Sequence, residues 1–169
     1  MTEISSCDRE TIVRQLGREP RVLEGIAARC SFGAPAVLVQ RPYDEAGVPF
    51  PTTFWLTCRA EVAAVSRFES AGGVAEMARE LAAHPPLRRS RAAADRRVQR
   101  VRDGLCRSAP VRDRGAALCL GLAGEPPGAP IKCLHAHVAV ACGCPPYAFG
   151  ELVRARVGAP PRTECCAWT

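Results

Sequence analysis

The sequence lacks several features that would identify a function directly. It has no apolar stretch of the roughly 18 residues that a membrane-spanning helix needs. It has no glycine loop with lysine for phosphate, no Gly-x-Ser-x-Gly, no His-Glu-x-x-His and no Cys-x-x-Cys. Its first ten residues show neither the basic start nor the apolar stretch of a secretory signal. We therefore expect a cytoplasmic protein without membrane association, and no short motif identifies a reaction.

Lysine is almost absent, with a single residue among 23 basic side chains, so nearly all of the positive charge is guanidinium. The 169 residues, 47% of them hydrophobic, predict one domain over 1–169 that ends in a loop-like tail over 160–169. Ten cysteines are many for such a chain. In a reducing compartment, clustered cysteines more often bind metal or carry out redox chemistry than form structural disulfides.

The positive charge is concentrated in residues 84–114, which contain ten arginines and three aspartates. Such a basic stripe could contact an anionic partner such as RNA or polyphosphate. The segment contains no aromatic residue on which a base could stack. Alternatively, the arginines of this segment form an ordinary helix face that is exposed to solvent. The candidate anion-binding residues are Arg89, Arg96, Arg97 and Arg100.

The apolar pattern predicts an α+β fold in which a small antiparallel sheet packs against several helices. Residues 36–40 and 52–58 are predicted strands that pair with each other, and residues 21–30 fit either a strand or a helix. Helical periodicity runs from residue 59 to residue 105, with interruptions at 72–73 and 84–86. Further helices are predicted over 8–16, 130–141 and 149–157.

Nine cysteine and histidine residues are candidate metal ligands. Thiolate and imidazole are the usual ligands of zinc, and four thiolates are the usual ligands of an iron–sulfur cluster. If residues 130–141 are one helix, Cys133 and His137 share a face, whereas His135 points elsewhere. Some of these cysteines could instead be buried small hydrophobic residues. The nine are Cys30, Cys58, Cys133, His135, His137, Cys142, Cys144, Cys165 and Cys166.

A thiol enzyme is another hypothesis from the same residues. A cysteine beside an imidazole can become an activated nucleophile. Here the cysteine would be Cys133 or Cys58, and the histidine would be His135 or His137.

Five sequence blocks occur in an order that resembles a known bacterial family. They are RQLGREPR at 14–21, RCSFGAPAV at 29–37, PFPTTFWLTC at 49–58, AVSRFE at 64–69 and IKCLHAH at 131–137. Together they resemble the domain-of-unknown-function family numbered five hundred and one, common in actinobacteria. The resemblance implies a single-domain cytosolic protein for which no activity is assigned.

The resemblance also implies a particular set of metal ligands. The cysteines and histidines of the family's blocks correspond to Cys30, Cys58, Cys133, His135 and His137, with one tail cysteine, Cys165 or Cys166. We expect Cys30, Cys58 and Cys133 as thiolate ligands, with His137 or a tail cysteine as the fourth. The hypothesis is a protein that binds zinc or an iron–sulfur cluster and has a structural or redox and regulatory role.

Overall fold

A three-stranded antiparallel sheet is the centre of the computed structural model, which describes residues 4–106, 113, 117–158, 165 and 167. The strand order is β1 (Leu23–Arg29), β2 (Pro35–Gln40), β3 (Phe54–Leu56). All six residues of the central strand β2 are buried, as expected for a strand with partners on both edges. The predicted α+β class and the antiparallel pairing of the second and third strands are confirmed. The ambiguous segment 21–30 forms the additional strand β1.

Six helices accompany the sheet in the described part of the chain. The predicted interruptions are confirmed, because Gly72, at φ +92°, and His84 divide this stretch into three consecutive helices. Within the described ranges, no helix is both long and apolar enough to cross a membrane. The helices are α1 (Ser6–Leu16), α2 (Arg59–Ser70), α3 (Gly73–Ala83), α4 (Pro85–Cys106), α5 (Leu134–Gly143) and α6 (Ala148–Val157), and a short 3₁₀ helix spans Leu122–Gly124.

Helix α5 is the helix around which the core is built. It is apolar on all sides and packs against β3, α2 and α6, as a helix surrounded by protein must be. It begins at Leu134, so the predicted helical start at Pro130 is wrong. Cys133 has an extended backbone, with φ −148° and ψ 125°. The amide of Leu134 donates to the Glu69 carboxylate on α2, which supplies the missing local cap.

The solvated-face interpretation is wrong for two arginines of α4, because Arg91 and Arg102 are buried. Arg102 is 0% exposed. All five of its N–H groups donate hydrogen bonds, one to the Thr53 hydroxyl and the others to backbone carbonyls. The buried guanidinium therefore connects α4 to two stretches of non-helical chain. The four carbonyls belong to Pro51, Ala117, Leu120 and Gly121.

Candidate functional site

Three side chains with metal-ligand chemistry meet where the C-terminal part of α2 faces the start of α5. Glu69 comes from α2, Cys133 precedes α5 and His135 lies in its first turn. The Cys133 Sγ atom lies 3.6 Å from His135 Nδ1, and His135 Nδ1 lies 3.3 Å from Glu69 Oε2. All three residues are half-buried. We call them the Glu69–Cys133–His135 cluster.

The change from extended to helical backbone brings Cys133 and His135 together. On one continuous helix, residues two apart project in different directions. The chain is still extended at Cys133 and becomes helical at Leu134, so the expectation that His135 points away from Cys133 is wrong. Glu69 is oriented by its second oxygen, Oε1, which accepts the Leu134 amide.

The tautomer of His135 follows from its other ring nitrogen. His135 Nε2 lies 3.2 Å from the Val62 carbonyl oxygen and 3.2 Å from the Ser66 hydroxyl. A carbonyl oxygen can only accept, so Nε2 carries a proton when it bonds to Val62. In the neutral ring, Nδ1 then presents its lone pair to Cys133 and Glu69. That nitrogen can accept the Cys133 proton or bind a metal ion.

The charge of the ring depends on the same neighbours. The hydrogen bond with the Cys133 sulfur raises the pKa of His135 above its ordinary value of 6.5. Burial acts in the opposite direction, and the Glu69 carboxylate adds to the increase. The cluster therefore favours a positive imidazolium when no metal ion is present.

A pocket of about 310 Å³ opens beside the cluster. Phe50 and Trp55 stack there with ring centroids 5.5 Å apart. Its volume is at the lower end of the range for small-ligand sites, and most of its wall is apolar. We call it the aromatic pocket. Its lining residues are Phe50, Thr52, Phe54, Trp55, Leu56, Val62, Ala123, Cys133, His135 and Ala136.

The other residues that the sequence predicts as ligands lie elsewhere. In the part of the chain that the structure describes, only Cys133 and His135 of that set belong to a group of three potential ligands. Cys30 is half-buried beyond β1, Cys58 is buried at the start of α2, and Cys165 is buried. Cys166, like most of the tail over 160–169, lies outside the described residues.

His137 lies in the core. Its Nδ1 lies 2.6 Å from the Tyr147 hydroxyl, and its ring is in edge contact with Phe149. Burial, with a smaller contribution from the Arg91 charge, lowers the pKa of His137 to about 3. The ring is therefore neutral at physiological pH and acts as a hydrogen-bonded core residue.

The four candidate anion-binding arginines do not form one surface. Arg89, Arg96 and Arg100 are exposed along α4. Arg97 is partly buried and donates to the carbonyl oxygens of Cys144 and Pro146, which fixes it to the segment between α5 and α6.

Sequence reasoning missed Glu69 because a glutamate near the end of a helix has the same pattern as ordinary surface charge. Glu69 nevertheless ends one of the five blocks, AVSRFE at 64–69. That block was the available signal for its role.

A model of a protein family described as "Protein of unknown function (DUF501)" matches residues 26–155. The matched region contains the whole Glu69–Cys133–His135 cluster and the residues of the aromatic pocket. No curated protein and no solved structure matches the chain.

Proposed function

We propose that this chain, which belongs to the DUF501 family, binds metal. The family assigns no activity, so the proposal rests on the site itself. Glu69, Cys133 and His135 hold one divalent cation, for which zinc is the first candidate. The aromatic pocket lies beside the ion and accepts a small molecule.

The distances between the ligand atoms carry this proposal. Zinc binds imidazole nitrogen and carboxylate oxygen at about 2.0–2.2 Å and thiolate sulfur at about 2.3 Å. In a tetrahedron with these bond lengths, a nitrogen and an oxygen lie about 3.3 Å apart, and a sulfur and a nitrogen lie about 3.6 Å apart. The cluster has 3.3 Å from His135 Nδ1 to Glu69 Oε2 and 3.6 Å from Cys133 Sγ to His135 Nδ1.

The donor set favours zinc over an iron–sulfur cluster. The cluster offers one thiolate, one imidazole and one carboxylate within the described residues, whereas iron–sulfur clusters use mainly thiolates. His135 has the backbone hydrogen bond that fixes a metal-binding imidazole, from Nε2 to Val62. Three protein ligands leave a fourth position, and zinc that binds water there makes it acidic enough for hydrolysis near neutral pH.

Zinc titration against a chromophoric chelator tests the proposal. We expect one zinc ion per chain, and we expect Cys133→Ser, His135→Ala and Glu69→Gln each to weaken binding at least about tenfold. Cobalt in the same site should show a sulfur-to-cobalt charge-transfer band that Cys133→Ser removes. The ion must displace the Nδ1 proton, whose pKa is raised above 6.5, so affinity falls as the pH is lowered. This decline begins at a higher pH than for an ordinary histidine.

The pair His84 and Glu80 provides a matched control. His84 Nδ1 lies 3.4 Å from Glu80 Oε2, nearly the same distance as in the cluster. This pair lies at the surface at the end of α3, and among the described residues no third potential ligand joins it. We expect His84→Ala and Glu80→Gln to leave the zinc affinity unchanged. Absence of stoichiometric zinc binding, or equal losses in both pairs, would contradict the proposal.

One observation favours a thiol nucleophile as the second candidate function. With Nε2 bonded to Val62, the lone pair of His135 Nδ1 faces the Cys133 sulfur, so the ring can take the thiol proton. Glu69 then stabilises the imidazolium. The aromatic pocket would hold the group that the sulfur attacks.

Alkylation by iodoacetamide at pH 7 measures this reactivity, since the thiolate displaces iodide and forms a thioether. We expect metal-free Cys133 to react at least about tenfold faster than Cys142, because burial raises the pKa of the Cys142 thiol. Mass spectrometry gives both rates in one sample. His135→Ala should slow only Cys133, and zinc should protect it. Equal rates at the two cysteines would rule out an activated thiol.

A further inference from the structure

A second cavity, of about 360 Å³, lies against the arginine-rich helix α4 and is separate in its residues from the aromatic pocket. Side chains of α4, Leu81 near the end of α3, and the turn at Pro127 and Gly128 form its walls. We call it the arginine cavity. Its polar side chains are Arg88, Arg91, Asp95, Arg96 and Gln99.

The guanidinium of Arg91 has a buried donor without a partner. Arg91 is 8% exposed and donates a hydrogen bond from Nη2 to the Ala129 carbonyl. Its buried Nε has no hydrogen-bond partner, and no carboxylate among the described residues lies within ion-pair distance. Arg102, on the same helix, uses all five of its N–H groups. A buried cation with an unsatisfied donor indicates an anion that belongs beside it.

The charge of the cavity indicates how much negative charge that anion carries. Arg88, Arg91 and Arg96 are positive, and Asp95 is the one acidic residue among the described residues of the wall. Asp95 is occupied, since its Oδ1 accepts the Leu122 amide. Arg88 is held in place through the Ala82 carbonyl at the end of α3. The net charge of +2 matches a dianion.

We propose that the arginine cavity binds a phosphate dianion, either inorganic phosphate or the phosphate group of a small monoester. A guanidinium can donate two parallel hydrogen bonds to phosphate oxygens, and the Nε donor of Arg91 has no partner within the protein. A cavity of this volume accommodates a phosphate with a small organic group attached. This inference does not depend on metal binding at the Glu69–Cys133–His135 cluster.

Calorimetric titration of the full chain at pH 7.5 and low ionic strength tests it, with inorganic phosphate and glycerol 2-phosphate as probes. The probe that binds more tightly shows whether the cavity prefers free phosphate or a phosphate monoester. We expect saturable binding that Arg96→Ala weakens at least about tenfold, whereas Arg100→Ala changes it less than about twofold. Both residues are exposed on α4 four positions apart, and both substitutions remove one charge, but only Arg96 lines the cavity.

Arg91→Met provides the second test. We expect it to abolish binding of both probes, and we expect its melting temperature in phosphate-free buffer to equal that of the natural chain, because methionine removes a buried cation with an unsatisfied donor. Phosphate should raise the melting temperature of the natural chain but not of Arg91→Met. Equal weakening by Arg96→Ala and Arg100→Ala would overturn the proposal in favour of diffuse attraction along the helix. Absence of saturable binding would overturn it as well.

Discussion

Replacing Arg102 with methionine is expected to lower the free energy of unfolding by about 3–5 kcal/mol, because it leaves several buried hydrogen-bond acceptors unsatisfied, each at a cost of about 1–3 kcal/mol. For a domain of this size, the corresponding fall in melting temperature is roughly 6–20 °C. The substitution leaves the Thr53 hydroxyl and four carbonyl oxygens without their donors. Water cannot replace the guanidinium readily, because the side chain is fully buried.

Urea denaturation of three variants distinguishes the contribution of the hydrogen bonds of Arg102 to stability from that of its positive charge. Arg102→Lys keeps the positive charge but has three donors instead of five, so an intermediate loss is expected. Arg100→Met, two residues earlier on the exposed side of α4, should change the free energy of unfolding by no more than about 0.5 kcal/mol. If Arg102→Met were as stable as Arg100→Met, the hydrogen bonds of Arg102 would contribute nothing to the fold.

Replacing Gly150 with alanine is expected to destabilise the protein by about 2–3 kcal/mol through overpacking. A methyl group there would lie 2.8 Å from the Ala141 Cβ and 2.8 Å from the His137 carbonyl oxygen, and it would overlap the Tyr147 ring. The two obstacles at 2.8 Å belong to α5, so α6 would have to move away from the helix that carries the site.

Gly104 is the matched control for Gly150. It also lies within a helix, α4, but an added Cβ has no heavy atom within 4 Å. Gly104→Ala should therefore stabilise the protein by about 0.5–1 kcal/mol, because alanine has the better helix propensity. Urea unfolding of both variants checks the opposite signs. A stable Gly150→Ala would show that α5 and α6 can separate without loss.

The strand and helix pattern was largely predictable from the sequence because it depends on local signals. Residues 52–58 are rich in β-branched and aromatic side chains, and the glycines at 72–73 interrupt the helical periodicity. The start of α5 was not predictable from these signals. Its first amide is capped by Glu69, which lies 65 positions earlier in the chain.

The site was half predictable for the same reason. Cys133 and His135 were candidates by residue type, but their contact depends on the backbone change at Leu134. Glu69 and the buried arginines depend on contacts between distant segments, which no local periodicity records. The fold, the family and the cluster are observed, whereas the bound metal and the single domain over 1–169 stay predictions.

The two oxygens of Glu69 have different tasks, and this gives the site a thermodynamic property. Oε1 accepts the first amide of α5, and Oε2 faces His135 Nδ1. If a cation binds Glu69, ion binding and ordering of the first turn of α5 become linked equilibria, and linkage is reciprocal. Fraying of that turn then lowers the affinity for the ion, and ion binding suppresses the fraying by the same factor. If a cation binds there, the order of the first turn of α5 therefore sets how tightly the cluster holds it.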